Sequence, residues 1–429
     1  THSKFLTLLL YIGDYDILKE LGCFVNISVI LDSFRRMNFK ISTRDSISHL
    51  FFKYGANKHS YRLDNCDTLI NILFSIINDS NHSEMSMSKI SKRRRLNNDC
   101  ITYPSITTRL HDETKSDDET VDSRSAYQRD YARILHSDTF RLLNGKAQLF
   151  PPNENDLLRN RQMHSFEVAQ IAHGICDHLE FKDCSIKIDR KLVETICIAH
   201  DIGHPPFAHK GEKVLNNLMK DYGGFEGNAQ TFRVLSKQKN LTIATLIGVL
   251  KSNQMLNKNN ATKGFYKCDL EVIQSIKKKV DINDMWFEDF VTEKENYQSI
   301  PTQIMDFADD ISYCCYDIQD AFVANIINLS DFLCSPMINK IVKEIEYDKE
   351  RKTRSESSNT KITNELVEKE LKSYFDIARK IAGKGESENQ DDHGLGRIYA
   401  NSDICRREFS SYLIKQFVKS IHYKHEDKK

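Results

Sequence analysis

Residues 197–212 read Cys-Ile-Ala-His-Asp-Ile-Gly-His-Pro-Pro-Phe-Ala-His-Lys-Gly-Glu, with three histidines, an aspartate and a glutamate in sixteen positions. The adjacent pair His200-Asp201 closes an apolar helical run (Leu192, Val193, Ile196, Ile198, Ala199), and Pro205-Pro206 just beyond it ends the helix. An imidazole and a carboxylate side by side at a helix end can both point at one divalent cation. Mixed nitrogen and oxygen ligation of this kind suits Mn, Fe, Co or Mg better than a sulfur-rich zinc site does. A cation held there would generate hydroxide from water and neutralise phosphate charge.

Outward from this stretch the pattern stays helical. From Arg124 onward strand-like alternation is rare, and the whole chain has only seven prolines and sixteen glycines to interrupt it. The spacing predicts helices at about 124–144, 161–181, 190–202, 211–220, 227–238, 240–252, 300–323 and 402–422, with 345–395 as charged surface helix plus loop. The fold class is therefore all-α. Residues 124–429 make its core. Residues 80–123, dominated by Asn, Ser, Lys, Asp and Thr, read as a polar, partly disordered linker, and residues 1–79 as a small N-terminal helical extension of unknown role. Within the linker, Lys92-Arg93-Arg94-Arg95 is a solvated charge run or, alternatively, a nuclear-import or nucleic-acid signal.

Bulk composition excludes several classes. Lys+Arg and Asp+Glu are both 61 of the 429 residues, so no global basic field draws nucleic acid, although a local patch can. Eleven cysteines, odd in number and without CxxC spacing, fit free thiols in a reducing compartment. The longest apolar stretch, residues 5–12, is too short to span a bilayer and lacks the flanks of a signal peptide. The expected location is cytoplasmic, or nuclear if the Lys92–Arg95 cluster is an import signal. Because residue 1 is threonine, the true start is expected to lie upstream.

Three further elements carry chemistry-bearing residues. His164 sits on an amphipathic helix with Val168 and Ile171 one and two turns on. Asp309, Tyr313 and Asp317 recur every four residues and so share a helical face. His209 and Glu212 lie three apart at the start of the next helix. Acidic groups on an inward face are costly to bury unless paired or metal-bound. Taken singly, each admits a plainer reading: a salt-bridge network around a structural histidine, or a helix-start carboxylate beside a surface histidine.

Taken together, the order H…HD…D on helices resembles the HD superfamily of metal-dependent phosphohydrolases, and within it the dGTPase-like deoxynucleoside triphosphate triphosphohydrolases. Four stretches carry the resemblance: Arg129–Phe150, with Phe140, Arg141, Lys146 and Gln148; Arg161–Ser165; His200–Glu212, followed by Gly223–Gln230; and Met305–Tyr313. It covers about 124–325 well and is weak beyond. It implies an HD-domain helical bundle with one divalent metal ion per site, Mn or Mg favoured over Fe or Co, held by His164, His200, Asp201 and Asp309. Asp306 and Asp310 would be supporting or structural.

In the family the counterpart of His209 works at the attacking water or the leaving 5′ oxygen, and that of Glu212 orients it. His204 matches a histidine of some members that contacts phosphate. Gln148 and Leu149 match positions against base and sugar, and Tyr313 a residue beneath the deoxyribose. Asp317 matches an acceptor for the 3′-OH, and Arg161 and Lys251 match phosphate holders, with a plain surface lysine as the alternative for Lys251. Asn228 and Gln230 orient water or substrate, unless Asn228 serves the helix N-terminus.

The implied reaction is hydrolysis of a dNTP, dGTP foremost, to deoxynucleoside and tripolyphosphate, by a homo-oligomer (hexamer or tetramer) with nucleotides or single-stranded nucleic acid as potential effectors. Ser252 stands where bacterial members tend to have an aromatic residue. The chain also stops at Lys429 before a C-terminal Ile-Ala/Ser-Gly-Met-Thr-Asp segment usual in the family, so a core lacking that segment is expected. Two alternatives stand: an HD phosphohydrolase acting on another nucleotide or phosphoester, and a non-catalytic nucleotide- or nucleic-acid-binding scaffold. Tyr313 and Gln148 weigh against the first, and the full set of ligands with His209 and Glu212 against the second.

Overall fold

A computed structural model describes residues 83–87, 101–102, 106–112, 123–150, 156–183, 186–256, 263–280, 288–292, 297–324, 339, 342–343, 363–383, 398–399 and 401–425. The N-terminal extension 1–79 and the Lys92–Arg95 cluster lie outside the described residues. Eleven helices carry the architecture described below: α1 Ala126–Leu135, α2 Arg161–Lys182, α3 Arg190–Ala199, α4 Ala208–Leu218, α5 Gly227–Gln238, α6 Ile243–Gly248, α7 Leu270–Lys279, α8 Ile300–Ser312, α9 Ile318–Val323, α10 Asn364–Gly383 and α11 Asp403–Ser420. Among the described residues, strands are confined to two parallel pairings, Ser83–Met87 with Ile421–His425 and Ile101–Thr102 with Ile186–Lys187. The all-α expectation holds.

Polar caps set where helices start. Ser125 and Gln128 form a reciprocal capping box on α1. Asn160, Asp189, Thr242, Ser299 and Ser402 each accept a backbone N–H with their side chain at the start of α2, α3, α6, α8 and α11. The central helix α2 buries Val168, Ile171, Ala172, Ile175 and Leu179, one stripe at i, i+3/i+4 spacing, and packs against both α3 and α8. From its side α3 contributes the fully buried Leu192, Val193 and Ile196 and also meets α1 and α8. Burying side chains of this size stabilises by about 1.5–3 kcal/mol each.

Several boundaries differ from expectation for local reasons. The run 124–144 divides, because Ser137 caps a new short helix, Asp138–Arg141, which passes into the 3-10 turn Leu142–Gly145. The 300–323 helix is interrupted by a π turn, Tyr313–Asp317. The 240–252 run keeps only α6 as helix. Helix α7 escaped the sequence reading, since it buries only Ile273 and Ile276 and ends in three lysines.

Residues 106–112 lie in the stretch read as linker, yet Arg109 and Leu110 are buried against the core. Arg109 donates to Asp130 at 2.7 Å, and the Leu110 N–H donates to the Leu241 carbonyl at 3.3 Å.

Candidate functional site

The buried stripes of α2, α3 and α8 are apolar along most of their length and turn polar at one end each. On α2 the polar end is Arg161, His164 and Ser165, on α3 it is the C-cap His200, and on α8 it is Asp309 and Ser312. Packing brings these ends together. His164 Nε2 lies 2.9 Å from Asp309 Oδ1, and His200 Nε2 lies 3.6 Å from both Asp309 Oδ1 and Asp201 Oδ2. Ligand atoms of His164, His200 and Asp201 all fall within 4.8 Å of one another.

Hydrogen bonds fix what each ring can offer. His200 Nδ1 lies 2.7 Å from the Cys197 carbonyl; a carbonyl only accepts, so Nδ1 carries a proton and Nε2 faces the cluster. That Nε2 is buried and has no hydrogen-bond partner among the described residues. The electrostatics point the same way. Burial opposes a charge on His200, but the Asp201 and Asp309 carboxylates outweigh it and raise the imidazole to about 9. The spot that Nε2 faces therefore attracts positive charge. Burial likewise works against Asp201 and Asp309. Arg161 and His200 nevertheless hold the Asp201 carboxyl far below its ordinary range, and His200, His164 and Lys251 do so for Asp309. Two imidazole nitrogens and two ionised carboxylates converging on one spot fit a divalent cation.

Cationic side chains flank the cluster. Arg161 is 2% exposed, donates from Nη1 to Asp201 at 2.6 Å, and has a buried Nε without a partner among the described residues. Lys251 lies 2.8 Å from Asp306 Oδ1 and 3.6 Å from Asp309 Oδ2, its side chain 12% exposed, so the plain surface lysine is excluded. Asp306 is held from its other side by the Gln298 amide at 2.9 Å.

The next loop is built under constraint. Phe207 and Ala208 both adopt positive φ, 64° and 50°, which costs about 1–2 kcal/mol per residue. Gly211 is required beneath them, because a Cβ there would lie 1.8 Å from the Pro206 carbonyl oxygen. The result is a sharp entry into α4 with His209 in its first turn. His209 Nδ1 lies 3.2 Å from Glu212 Oε2, while Glu212 Oε1 accepts the Gly227 N–H at 2.8 Å, tying the pair to the start of α5. The His209 side chain is 78% exposed and the His204 ring centroid is 5.9 Å away.

His204 differs from His209 in its partner. Its Nδ1 meets the Pro205 carbonyl at 3.0 Å, and burial, aided by the Arg161 charge, pushes its pKa down to about 3. The ring is thus neutral, with a proton on Nδ1 and a buried, unpartnered Nε2 acceptor.

Tyr313 packs 4.8 Å from His164, centroid to centroid, with its hydroxyl 3.5 Å from Arg161 Nη1. Gln148 is 7% exposed, and both its amide atoms lack a hydrogen-bond partner among the described residues. The half-buried Leu149 follows it, on a segment joined to the start of α2 by an Ala147–Asn160 bridge. Asp317, at the end of the π turn, is 3% exposed, and burial with neighbouring Asp320 pushes its carboxyl well above the usual range. Asn228 donates to Glu226 at 2.6 Å and so belongs to the start of α5.

Sequence reasoning gave no role to two supports. The Thr231 hydroxyl donates to the His200 carbonyl at 2.9 Å and accepts from the Gly203 N–H at 2.9 Å. Lys146 donates to the carbonyls of His204 and Ile202. Only the absence of a Cβ at Gly203, where one would lie 2.1 Å from the Thr231 amide, hinted at this docking.

Comparison with known proteins agrees with this geometry. The family described as HD domain matches residues 161–314. A Mesorhizobium japonicum protein named deoxyguanosinetriphosphate triphosphohydrolase-like protein 2 is 32% identical over 342 residues, covering 70% of this chain and 71% of that protein. A protein of the same name from Deinococcus radiodurans is 36% identical over 56% of this chain and 62% of its own length. One from Aliivibrio fischeri, named deoxyguanosinetriphosphate triphosphohydrolase-like protein, is 39% identical over 48% of this chain and 55% of its own length. The match thus spans little more than half of the last two relatives.

Proposed function

Because this chain belongs to the dGTPase-like family of the HD superfamily, we propose that it hydrolyses deoxynucleoside triphosphates, dGTP foremost, to deoxynucleoside and inorganic tripolyphosphate. The observation that carries this reading is the buried, unpartnered Nε2 of His200 facing two ionised carboxylates. His164, His200, Asp201 and Asp309 would hold a divalent cation, Mn or Mg foremost. When bound, the cation supplies Lewis-acid polarisation of phosphate and a lowered pKa for water.

The chain's own residues do the rest by positioning and electrostatics. Arg161 and Lys251, fixed by Asp201 and Asp306, hold phosphate oxygens. The Tyr313 ring lies under the deoxyribose, where a 2′-hydroxyl would clash. The unpartnered amide of Gln148 and the Leu149 side chain meet base and sugar, and Asp317 takes the 3′-OH. Water attacks the α-phosphorus, the bond to the 5′ oxygen breaks, and a proton goes to that oxygen.

The two loop histidines divide this work. His209, backed by the Glu212 carboxylate, can stabilise a positive charge and so carries the proton. His204, backed only by a carbonyl, stays neutral and accepts a hydrogen bond from the attacking water through Nε2.

The same reading takes the protein as a homo-oligomer, with nucleotides or single-stranded nucleic acid as effectors, which light scattering with and without each ligand would test. Among the described residues no helix is long and apolar enough to cross a membrane.

The test is to incubate the protein with each dNTP and Mn²⁺ or Mg²⁺ in ¹⁸O-labelled water and separate the products. Tripolyphosphate carrying the label is the expected product. Pyrophosphate or monophosphate instead would replace this reaction with another phosphohydrolase activity, and equal turnover of GTP and dGTP would remove the Tyr313 argument.

A further inference from the structure

The loop from Asp201 to Pro205 leaves the end of α3 with polar backbone groups that must find partners in a buried setting. The Ile202 N–H returns to the Ala199 carbonyl at 3.1 Å, and the His204 N–H to the Asp201 carbonyl at 2.9 Å. Thr231 serves the Gly203 N–H and the His200 carbonyl. The carbonyls of Ile202 and His204 are both met by the ammonium of Lys146, at 3.4 and 2.6 Å.

A surface lysine would cap this helix end equally well, since a cation there complements the helix dipole. Lys146 is instead half-buried. Burial pushes its pKa down to about 8, the Asp201 carboxylate offsets part of that, and the Arg161 guanidinium adds to it. Its own carbonyl accepts the Arg161 N–H at 3.2 Å, and Gln148 follows two residues on. One residue thus joins the His204 loop, the first turn of α2 and the Gln148 segment.

We propose that Lys146 is a positioning residue for His204: by holding the His204 and Ile202 carbonyls it fixes where the acceptor Nε2 of His204 sits relative to the reacting phosphate. This rests on the hydrolase function proposed above. Lys146 touches no reacting atom and acts through the loop backbone alone.

The test compares Lys146→Met, which keeps the aliphatic stem and removes the donors, with Lys146→Arg, which keeps the charge and the donors. Lys146→Met should lower kcat for dGTP about 10–100-fold with KM nearly constant, the effect usual for loss of a supporting hydrogen bond next to a site. Lys146→Arg should recover most of the loss. Metal content should match wild type in both, and amide exchange at 201–204 should rise in Lys146→Met while that of α2 stays unchanged. A wild-type kcat in Lys146→Met, unchanged exchange at 201–204, or a loss of metal would each overturn the proposal. If the wild type cleaves no dNTP, the hydrolase reading falls and the exchange difference alone decides whether Lys146 holds the loop. Should Lys146→Met fail to fold, Lys146→Gln, whose neutral side chain is too short to hold both carbonyls, carries the same comparison.

Discussion

Asp130 and Asp309 are both buried carboxylates on helices, 0% and 8% exposed, and the protein treats them in opposite ways. Asp130 is surrounded by donors: Arg109 at 2.7 Å, the Thr242 N–H at 2.8 Å, and the hydroxyls of Thr242 and Thr245 at 2.7 and 2.9 Å. It pins the 106–112 segment and α6 to α1. Around Asp309 the set is incomplete: His164 Nε2 lies at hydrogen-bond distance, 2.9 Å, but Lys251 stands off at 3.6 Å, and His200 Nε2 faces both Asp309 and Asp201 without a hydrogen bond. Buried polar groups are ordinarily paired, so a group left orphaned among like partners marks a place kept for something else. Completeness of hydrogen bonding, more than burial or charge, separates the structural carboxylate from the candidate cation site.

Substitutions on the two sides of this comparison should fail differently. The largest effect belongs to His209→Ala, which should lower kcat by about 10²–10⁴-fold, the usual share of a general acid, while metal content and thermal midpoint stay near wild type. Steady-state kinetics with elemental analysis checks this, and an unaltered rate would remove the proton role of His209. On the structural side, Asp130→Ala removes the carboxylate that Arg109, Thr242 and Thr245 meet, and should lower stability by about 3–5 kcal/mol. Denaturant unfolding measures the loss, and turnover per folded molecule should be unchanged; a loss below about 1 kcal/mol would make the network a spectator.

A third carboxylate lies between these extremes. Glu167 Oε1 pairs with Arg159 at 2.8 Å, but Oε2 is buried and unpartnered, and Asp320 competes for the same guanidinium. Burial raises its pKa to about 7 despite Arg159. A group whose pKa rises on folding stabilises most below its unfolded value and loses that contribution as pH climbs through the folded value. The stability of wild type relative to Glu167→Gln should therefore fall between about pH 4.5 and pH 7, by up to about 3 kcal/mol. Unfolding midpoints of both proteins at pH 5 and pH 8 give the difference, and a constant gap would show that Glu167 does not titrate there.

Much of the scaffold was legible because α2, α3 and α8 write their burial as 3.6-residue periodicity. The residues at the polar ends of those stripes, His164, His200 and Asp309, stood out as interruptions in an apolar face. The supports did not. Arg109 and Asp130 meet across a stretch whose composition reads as linker, and no local pattern encodes that pairing. Lys146 and Thr231 are ordinary polar residues whose partners are backbone carbonyls and amides, invisible in side-chain spacing. The π turn at Tyr313–Asp317 alters a face that an ideal helix keeps straight, so the spacing of Asp317 from Asp309 overstated their alignment. The positive φ of Phe207 and Ala208 had no glycine to announce it.

Metal content per chain, measured by elemental analysis after purification with Mn²⁺, addresses the cation site most directly. One ion per chain in wild type and in Asp130→Asn, and essentially none in Asp201→Ala at unchanged helical content, is the predicted result. A full complement of metal in Asp201→Ala, or none in the wild type, would contradict it.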